Sequence, residues 1–510
     1  MAGKGQLQDE RSVMSATSLN DLIKEAMETG SLKGLPDKHF IHGKFVSSAD
    51  GTMLESIDPA TSKTHAQFAR GKAEDVDRAV KSAALALPQW RKTPPADRGR
   101  VLLAMAQLMK SHKNRLAVAE TLDSGKPVQE SLGDIDGAIR AFEFYAGACD
   151  KIQGDVFPLP RNYLSYSLQE PIGIAAQIIP WNFPISTTAR GVAPALAAGC
   201  SVVAKPAEQT PITALMLAEL LSEAGLPDGV FNVITGLGVE AGSALVAHPM
   251  INHITFTGSV PTGINVMKAA ADNVTRVVLE LGGKSPVAVF KDANLEQAAD
   301  GVMEAIFENA GQICSAGSRL LLDKSIQYEF LNILTDRIKN MRLGHGLTEP
   351  DMGPVNSQAQ LEKIETYLWN AKSRGLEIIT GGNRTSDPKT GQGYFFEPTI
   401  INNVPADDVT VLEEIFGPVL VVQPFGTLDE AISLANGTDF ALVAGIYTSN
   451  LSVAMRFARD VDAGQVFVNE YYAGGIEVPF GGNKKSGFGR EKGLEALKTY
   501  SKQKSVTIRL

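Results

Sequence analysis

A cysteine and a glutamate stand in sequence contexts that together could support covalent catalysis. Cys314 ends the segment Phe307–Cys314, and Glu280 lies among apolar and glycine residues in the run Leu279–Lys284. A thiolate attacks a carbonyl carbon, and a carboxylate can then activate the water that releases the product. Burial beside its apolar neighbours is expected to raise the pKa of Glu280 toward that of a useful base. The pair predicts an acyl-thioester enzyme, against the common alternatives of a buried thiol and a surface carboxylate.

A third side chain could stabilise an oxyanion. Asn182 follows the apolar segment Ile172–Ile179, which is expected to form a buried strand, and it precedes Phe183 and Pro184. Its side-chain amide could donate a hydrogen bond to developing negative charge. An Asx turn before the proline is the alternative interpretation.

Two glycine-containing turns follow expected strands and suggest a dinucleotide site. Gly238 and Gly242 follow the strand at Phe231–Ile234, but their spacing is one residue too long for the dinucleotide fingerprint, so a simple loop-to-helix turn stays open. After the next strand, Gly258 would let the backbone approach a phosphate, and Ser259 would offer a hydroxyl at a helix N-terminus.

Lys205 and Glu208 lie just beyond another expected strand, where open α/β sheets bind their ligands. Glu208 could accept hydrogen bonds from a ribose diol and would repel a 2′-phosphate. The pair therefore favours NAD over NADP. A solvated pair of loop residues is the alternative.

The composition limits the class of protein. The chain has 510 residues, which predicts two or three domains, and its net charge of −9 argues against nucleic-acid or anionic-membrane partners. Three cysteines without Cys-x-x-Cys spacing and seven scattered histidines predict neither a disulfide framework nor a protein-bound metal. No stretch reaches the roughly 18 apolar residues of a membrane span. The N-terminal residues lack the apolar segment of a signal peptide, so a reducing, cytoplasmic location is expected.

The elements that must position these residues follow an α/β pattern. A helix is expected from Ser18 to Glu28, within an N-terminal extension of residues 1–36, and helical spacing dominates from Ala73 to Ala148. From Ile172 onward, short apolar strands alternate with helices, and a second alternation starts after Gly283. This pattern predicts two α/β domains with parallel sheets. The C-terminal tail is expected to form a strand that could pair with another subunit.

Taken together, these runs resemble the aldehyde dehydrogenase superfamily over residues 38–508. The matching runs occur in the order that the family shows: Ile179–Pro184, Lys205–Thr210, Phe256–Ser259, Leu279–Lys284, Phe307–Cys314, Glu414–Pro418 and Pro479–Gly482. The resemblance implies a Rossmann-like cofactor domain (37–153 and 172–282), an α/β catalytic domain (283–485) and a small β oligomerisation arm (154–171 and 486–510). It also implies a homodimer or a homotetramer.

The resemblance implies a role for each matching residue. Cys314 would be the nucleophile, Asn182 and the Cys314 N–H would form the oxyanion hole, and Glu280 would be the base that activates water. NAD, or less readily NADP, would contact residues of the glycine turns and the two domains: Ile178, Pro180, Trp181, Lys205, Glu208, Gly238, Gly242, Gly258, Ser259, Leu281, Glu414 and Phe416. The aldehyde pocket would include Phe183, Arg190, Ile313, Ser315 and Phe480.

The chain departs from the family at one point near the substrate entrance. Many members carry an aromatic-lysine pair where this chain has Arg190 and Gly191, and that lysine is associated with the glutamate that corresponds to Glu491. Arg190 suggests a substrate with an acidic or polar tail. The run Glu477–Pro479 is instead similar to amino-aldehyde and betaine-aldehyde members. A CoA-acylating enzyme and a non-enzymatic use of the fold are the other candidates, which the presence of Glu280 and Cys314 disfavours.

Overall fold

The protein is described by a computed structural model that covers residues 17–510. Its first sheet has eight strands, of which the central five run parallel. These strands are buried on both faces, which accounts for their nearly continuous apolar sequences. In spatial order the strands are Lys44–Val46, His39–Ile41, Phe231–Val233, Ser201–Pro206, Ile174–Ile179, His253–Thr257, Arg276–Glu280 and Gly487–Phe488.

Helices cover both faces of the first sheet. Alternate strand residues point to opposite sides, so Val202 packs in one apolar cluster and Val203 in another. The helices in this half of the chain are Ala73–Trp90, Pro95–Ser124, Val128–Ala148, Pro184–Ala198, Ile212–Glu223, Ser243–Val246 and Val260–Ala271.

The strand order places a ligand crevice at one edge of this sheet. After Ile174–Ile179 the chain adds strands on one side, and it then returns to add His253–Thr257 on the other. Residues beyond the carboxyl ends of these two adjacent strands therefore border a topological switch point, where open α/β sheets bind ligands. Asn182 and Ser259 follow those two ends directly.

The second sheet has seven strands, all parallel to their neighbours except the first. Its strands, in spatial order, are Glu377–Thr380, Thr399–Asn402, Val419–Phe425, Arg319–Asp323, Pro286–Val289, Val443–Tyr447 and Gln465–Val468. The helices around it are Leu295–Phe307, Gln327–Lys339, Gln358–Ser373, Val409–Leu412, Leu428–Ala435 and Leu451–Asp460. The second α/β alternation expected after Gly283 therefore forms a sheet of its own.

A separate three-stranded sheet contains Ser501–Arg509, Tyr163–Pro171 and Val156–Phe157. We call it the arm sheet. The expectation that residues from 486 onward belong to the arm is wrong for Gly487–Phe488, because this strand pairs with Leu279 and Glu280 at the edge of the first sheet.

Smaller elements complete the fold. The helix Leu19–Thr29 is capped by Ser18 and ends at Gly30, as expected from the sequence, and Leu22 and Ala26 pack against the first core. The rest of the predicted N-terminal extension before Thr17 lies outside the described residues. Two-stranded sheets pair Met53–Asp58 with Lys63–Ala69, Arg384–Thr385 with Phe395–Phe396, and Phe440–Ala441 with Asn483–Lys484. The helix Glu495–Thr499 precedes the last strand. Within residues 17–510, no helix combines the length and the apolar character that crossing a membrane requires.

Candidate active site

The loop that carries Cys314 has an unusual backbone. The helix Leu295–Phe307 ends one turn before it, and Asn309, Ala310 and Gly311 follow with φ values of 47°, 53° and 70°. Left-handed geometry at alanine is strained, and such strain is typical of functional sites. The Tyr471 hydroxyl donates to the Ser315 carbonyl at 2.9 Å and anchors the far side of the loop.

Glycine at position 283 lets this loop approach the first sheet. A Cβ added to Gly283 would lie 2.4 Å from the carbonyl oxygen of Cys314. The Leu279–Lys284 run begins in the last parallel strand of the first sheet, and its Gly283 packs directly on the cysteine loop. This contact explains why the glycine pair stands between Glu280 and the second sheet.

Asn182 lies two residues before the helix Pro184–Ala198 and is 6% exposed. One N–H of its side-chain amide donates to the carbonyl oxygen of Gln312 at 2.8 Å. A primary amide has two N–H donors, so the second is available for an oxygen atom bound near Cys314. Asn182 and Cys314 line the same two cavities.

Glu280 ends its strand with its side chain fully enclosed. It is 2% exposed, and neither carboxylate oxygen has a hydrogen-bond partner. Burial raises its pKa well above the ordinary value, and the charge of Glu491 raises it further, while Arg190, Arg490 and Lys492 oppose both effects. A carboxyl group in this setting has the raised proton affinity that a general base requires.

The pKa of the Cys314 thiol is also shifted by its surroundings. Burial raises the pKa of its thiol to about 11, and Arg190 is the strongest opposing charge. The Arg190 guanidinium forms an ion pair with Glu491 and lies over the Phe480 ring, 5.3 Å from its centre. Arg190 therefore supplies positive charge to the cysteine while its own charge is partly balanced.

A cavity of about 660 Å³ opens on one side of Cys314. Aromatic side chains form much of its apolar wall: Phe183, Phe467, Tyr472 and Phe480. Carboxylates on the helices Val128–Ala148 and Leu295–Phe307 and the residue after the latter form another side, which we call the acidic wall: Glu130, Asp134, Glu304 and Glu308.

The acidic wall carries more negative charge than its neighbours balance. Asp134 is paired with Lys126 at 2.6 Å. Burial, followed by the charge of Glu308, raises the pKa of Glu130 to about 8. Burial, followed by the charge of Asp134, raises the pKa of Glu308 to about 7. Both shifts would be reversed by a cation bound between these carboxylates.

A second cavity of about 340 Å³ opens on the other side of Cys314 and runs along the carboxyl ends of the first sheet. At one end, the ammonium group of Lys205 pairs with Glu208 at 3.1 Å. In the middle, Ser259 caps the 12-residue helix Val260–Ala271, whose N-terminus favours an anion. This order of groups suits a ribose followed by a phosphate.

The far end of this cleft is formed by Glu414 and Phe416. Glu414 accepts a hydrogen bond from the Gly283 N–H at 2.9 Å, and an added Cβ at Gly282 would come within 2.3 Å of its other oxygen. Phe416 has a left-handed φ of 62° and packs edge-on against Trp181, with ring centres 5.2 Å apart. The two rings border a space for a flat group beside Cys314.

The structure brings nearly all of the expected site residues together. Every expected cofactor residue except Gly242 lines the cleft, and every expected substrate residue lines the larger cavity. Gly242 lies inside the π-helical turn Gly238–Gly242, buried behind the Lys205 side chain. Glu280 lines the cofactor cleft rather than the larger cavity.

Several residues of the site were not anticipated. They are the acidic wall, Lys126, Asn309, Gln360, Lys363, Phe467, Tyr472 and Lys492. Most come from stretches without a recognisable motif, whereas Glu308 and Asn309 lie in the Phe307–Cys314 run, in which only Cys314 was expected to act. For the acidic wall, the sequence signal was the four-residue spacing of Glu130 and Asp134, which places both on one face of the helix Val128–Ala148. Glu304 and Glu308 have the same spacing, but Glu308 lies one residue beyond the end of the helix Leu295–Phe307.

Comparisons with known proteins identify the family of the chain. The model of the aldehyde dehydrogenase family matches residues 45–506. The chain belongs to the aldehyde dehydrogenase family. The predicted α/β aldehyde dehydrogenase fold is thereby confirmed, and the protein is an oxidoreductase that acts on aldehydes.

Individual relatives cover almost the whole chain. The chain is 43% identical over 482 residues to the NADP/NAD-dependent aldehyde dehydrogenase PuuC of Escherichia coli, covering 93% of this chain and 96% of PuuC. It is 40% identical over 490 residues to 4-trimethylaminobutyraldehyde dehydrogenase A of Danio rerio, covering 95% and 96%. The solved betaine aldehyde dehydrogenase of Staphylococcus aureus, in complex with NAD+, is 39% identical with a TM-score of 0.93, covering 96% and 97%.

Proposed function

We propose that this enzyme oxidises an aldehyde with a cationic tail to the carboxylic acid, with NAD as the hydride acceptor and water as the final acyl acceptor. The observation that carries the reaction type is the placement of Cys314 and Asn182 on two adjoining cavities, with Glu280 lining the smaller one. The observation that favours a cationic substrate is the acidic wall.

The cleft suits NAD. Thr257 offers a buried hydroxyl without a partner on the cleft, and Gly282 leaves the space that Glu414 occupies. Lys205 and Glu208 would hold the adenosine ribose, Ser259 the pyrophosphate and Glu414 the nicotinamide ribose. The Glu208 carboxylate would repel a 2′-phosphate, which favours NAD over NADP. When bound, NAD accepts a hydride from the substrate carbon.

The chain's own residues perform the remaining steps. The Cys314 thiolate adds to the aldehyde carbon, and the resulting oxyanion accepts hydrogen bonds from the Asn182 amide and the Cys314 N–H. Loss of the hydride leaves a thioester on Cys314. Glu280 takes a proton from water, the water oxygen attacks the thioester carbon, and the carbon–sulfur bond breaks to release the acid and the thiolate.

The charges around the larger cavity favour an ammonium tail over a carboxylate tail. Arg190 is the residue that would attract a carboxylate, but Glu491 partly balances its charge. Glu130 and Glu308 have no paired cation at hydrogen-bond distance in the described structure. Phe183 and Tyr472 beside them would contact the methyl groups of a quaternary ammonium group. Two relatives are named for such aldehydes: 4-trimethylaminobutyraldehyde dehydrogenase A of Danio rerio and betaine aldehyde dehydrogenase of Staphylococcus aureus.

The test follows NADH formation with aldehydes of matched length that carry trimethylammonium, neutral tert-butyl or carboxylate ends, with and without CoA. We expect the highest kcat/KM for the trimethylammonium aldehyde, no requirement for CoA and no activity in Cys314→Ala. A CoA requirement would contradict the hydrolytic mechanism. A preference for the carboxylated aldehyde that disappears in Arg190→Leu would contradict the cationic substrate and restore the acidic-tail hypothesis.

A further inference from the structure

Lys126 is a buried lysine next to the active site that no step of the proposed mechanism uses. It is 1% exposed and lies between the helices Pro95–Ser124 and Val128–Ala148. Its ammonium group donates to Asp134 at 2.6 Å and to the main-chain carbonyl oxygen of Asn182 at 2.8 Å. It also lies 4.1 Å from the centre of the Phe183 ring.

These contacts satisfy the whole ammonium group. A lysine has three N–H donors, and here they face a carboxylate, a carbonyl oxygen and an aromatic ring. Burial acts to lower the pKa of Lys126, but the charges of Asp134 and Glu120 outweigh burial and raise it. Lys126 therefore stays charged, and its position is fixed from three sides.

Asn182 is held at both of its ends. Its main-chain oxygen accepts from Lys126 and, at 3.0 Å, from the side-chain amide of Asn309. Its side-chain amide donates to Gln312. Asn309 and Gln312 belong to the cysteine loop, whose N–H at Asn309 in turn donates to Glu130 at 3.0 Å. The Asn182 side-chain amide, which would face the substrate oxygen, is thus held at a fixed position relative to the loop that carries Cys314.

The fixed geometry matters because an oxyanion donor acts through its alignment. A donor must lie near hydrogen-bond distance from the oxygen as negative charge develops, and errors of about 1 Å can reduce the rate by roughly 100-fold. Without Lys126, the Asn182 carbonyl would keep only the Asn309 donor. Asp134 and the buried Glu120 would also lose their nearest positive charge.

We propose that Lys126 is a positioning residue for the oxyanion hole: by holding the Asn182 carbonyl and the Phe183 ring, it aligns the Asn182 amide with Cys314. The inference rests on the proposed function, because it concerns the step in which Cys314 attacks the aldehyde. Lys126 is therefore expected to affect the rate of that step and not the affinity for the cofactor.

The experiment is a double-mutant cycle read out by the first turnover. Lys126→Met is compared with Asn182→Ala and with the double variant, using the rate of the first NADH formed and the NAD affinity from tryptophan fluorescence. Lys110→Met is the matched control, because Lys110 also joins the helices Pro95–Ser124 and Val128–Ala148, through Glu143 at 2.6 Å. Its side chain is about half exposed and forms no described hydrogen bond with Asn182. Thermal unfolding of each variant is recorded first.

We expect Lys126→Met to slow the first turnover about 10- to 100-fold with an unchanged NAD affinity, and Lys126→Arg to recover part of the loss. Because Lys126 acts through Asn182, the double variant should be no slower than Asn182→Ala alone. Lys110→Met should behave as the wild type.

Three results would overturn the inference: a first turnover in Lys126→Met that equals the wild type, losses that multiply in the double variant, or an equal loss in Lys110→Met. If Lys126→Met does not fold, the variant that also carries Asp134→Asn removes both charges and enters the same cycle. Absence of aldehyde-dependent NADH in the wild type would instead overturn the proposed function, which separates the two failures.

Discussion

At the scale of single residues, the site concentrates four charged groups around a buried carboxyl. Glu280 has no hydrogen-bond partner, and its nearest electrostatic neighbours are Glu491, Arg190, Arg490 and Lys492. An added Cβ at Gly191 would lie 2.3 Å from the side-chain oxygen of Gln177, so a side chain at this position would require Gln177 to move. The cation that pairs with Glu491 in this chain is Arg190.

The raised pKa of Glu280 leads to a prediction about pH. The base works only when ionised, so the hydrolysis of the thioester should accelerate as pH rises through the raised pKa and slow as pH falls. Glu280→Gln should form NADH once per active site and then stop, with at least a 100-fold lower steady rate. Stopped-flow and steady-state NADH measurements across neutral and alkaline pH check both parts. Steady turnover of the Gln variant at the wild-type rate would contradict the role of Glu280.

Glu491 provides an independent test of the same electrostatics. Its negative charge raises the pKa of Glu280, so Glu491→Gln should lower that pKa. The pH profile of the hydrolytic step should then shift toward lower pH, while the NAD affinity stays the same. A profile that shifts toward higher pH in this variant would contradict this electrostatic role of Glu491.

At the scale of secondary structure, two helices from distant parts of the chain build the acidic wall. Glu130 lies on the helix Val128–Ala148, and Glu308 follows the helix Leu295–Phe307 directly. Because Glu130 also accepts the Asn309 N–H, the wall is attached to the cysteine loop. A substrate cation bound there would sit at a fixed position relative to Cys314.

The pKa values of this wall predict how binding of a cationic aldehyde depends on pH. The pKa is about 7 for Glu308 and about 8 for Glu130, so both carboxyls gain charge as pH rises through that range. The KM for a trimethylammonium aldehyde, whose own charge does not titrate, should fall several-fold over the same range. The neutral tert-butyl aldehyde is the control and should show no such fall. Glu308→Gln should flatten the dependence, and an unchanged dependence would exclude the wall as the cation site.

The sequence predicted local motifs and strands, but not the long-range contacts between them. Glu280, Asn182 and Cys314 stand in contiguous motifs, so their roles could be inferred, and strands such as Ile174–Ile179 were expected from short apolar runs. The hydrogen bond between Glu130 and Asn309 could not be inferred, since 179 residues separate the two and no sequence motif links them. The left-handed backbone at Ala310 was equally inaccessible, because alanine by itself favours other conformations and only the surrounding packing imposes this one.

At the scale of the whole molecule, the arm sheet presents an apolar face that nothing in the described chain covers. The strands Tyr163–Pro171 and Ser501–Arg509 pair over nine residue positions, with Leu164 opposite Ile508. Leu164, Leu168 and Ile508 share one face, and each is more than 40% exposed. On the opposite face, Ser165 and Ser167 are buried. The apolar residues thus point away from their own chain.

We predict that this exposed apolar face contacts a second copy of the chain, in line with the homo-oligomer expected from the sequence. We expect Leu164→Asp combined with Ile508→Asp to shift the wild-type oligomer to smaller species in sedimentation velocity, because charges would then face the partner across the interface. Leu451→Asp is the matched control, since Leu451 is 75% exposed on a helix beside the second sheet and should leave the assembly unchanged. The site residues all lie outside the arm sheet, so first-turnover NADH formation should persist in the smaller species. A wild-type protein that sediments as a monomer, or a double variant that stays fully assembled, would contradict the assignment of this face as the interface.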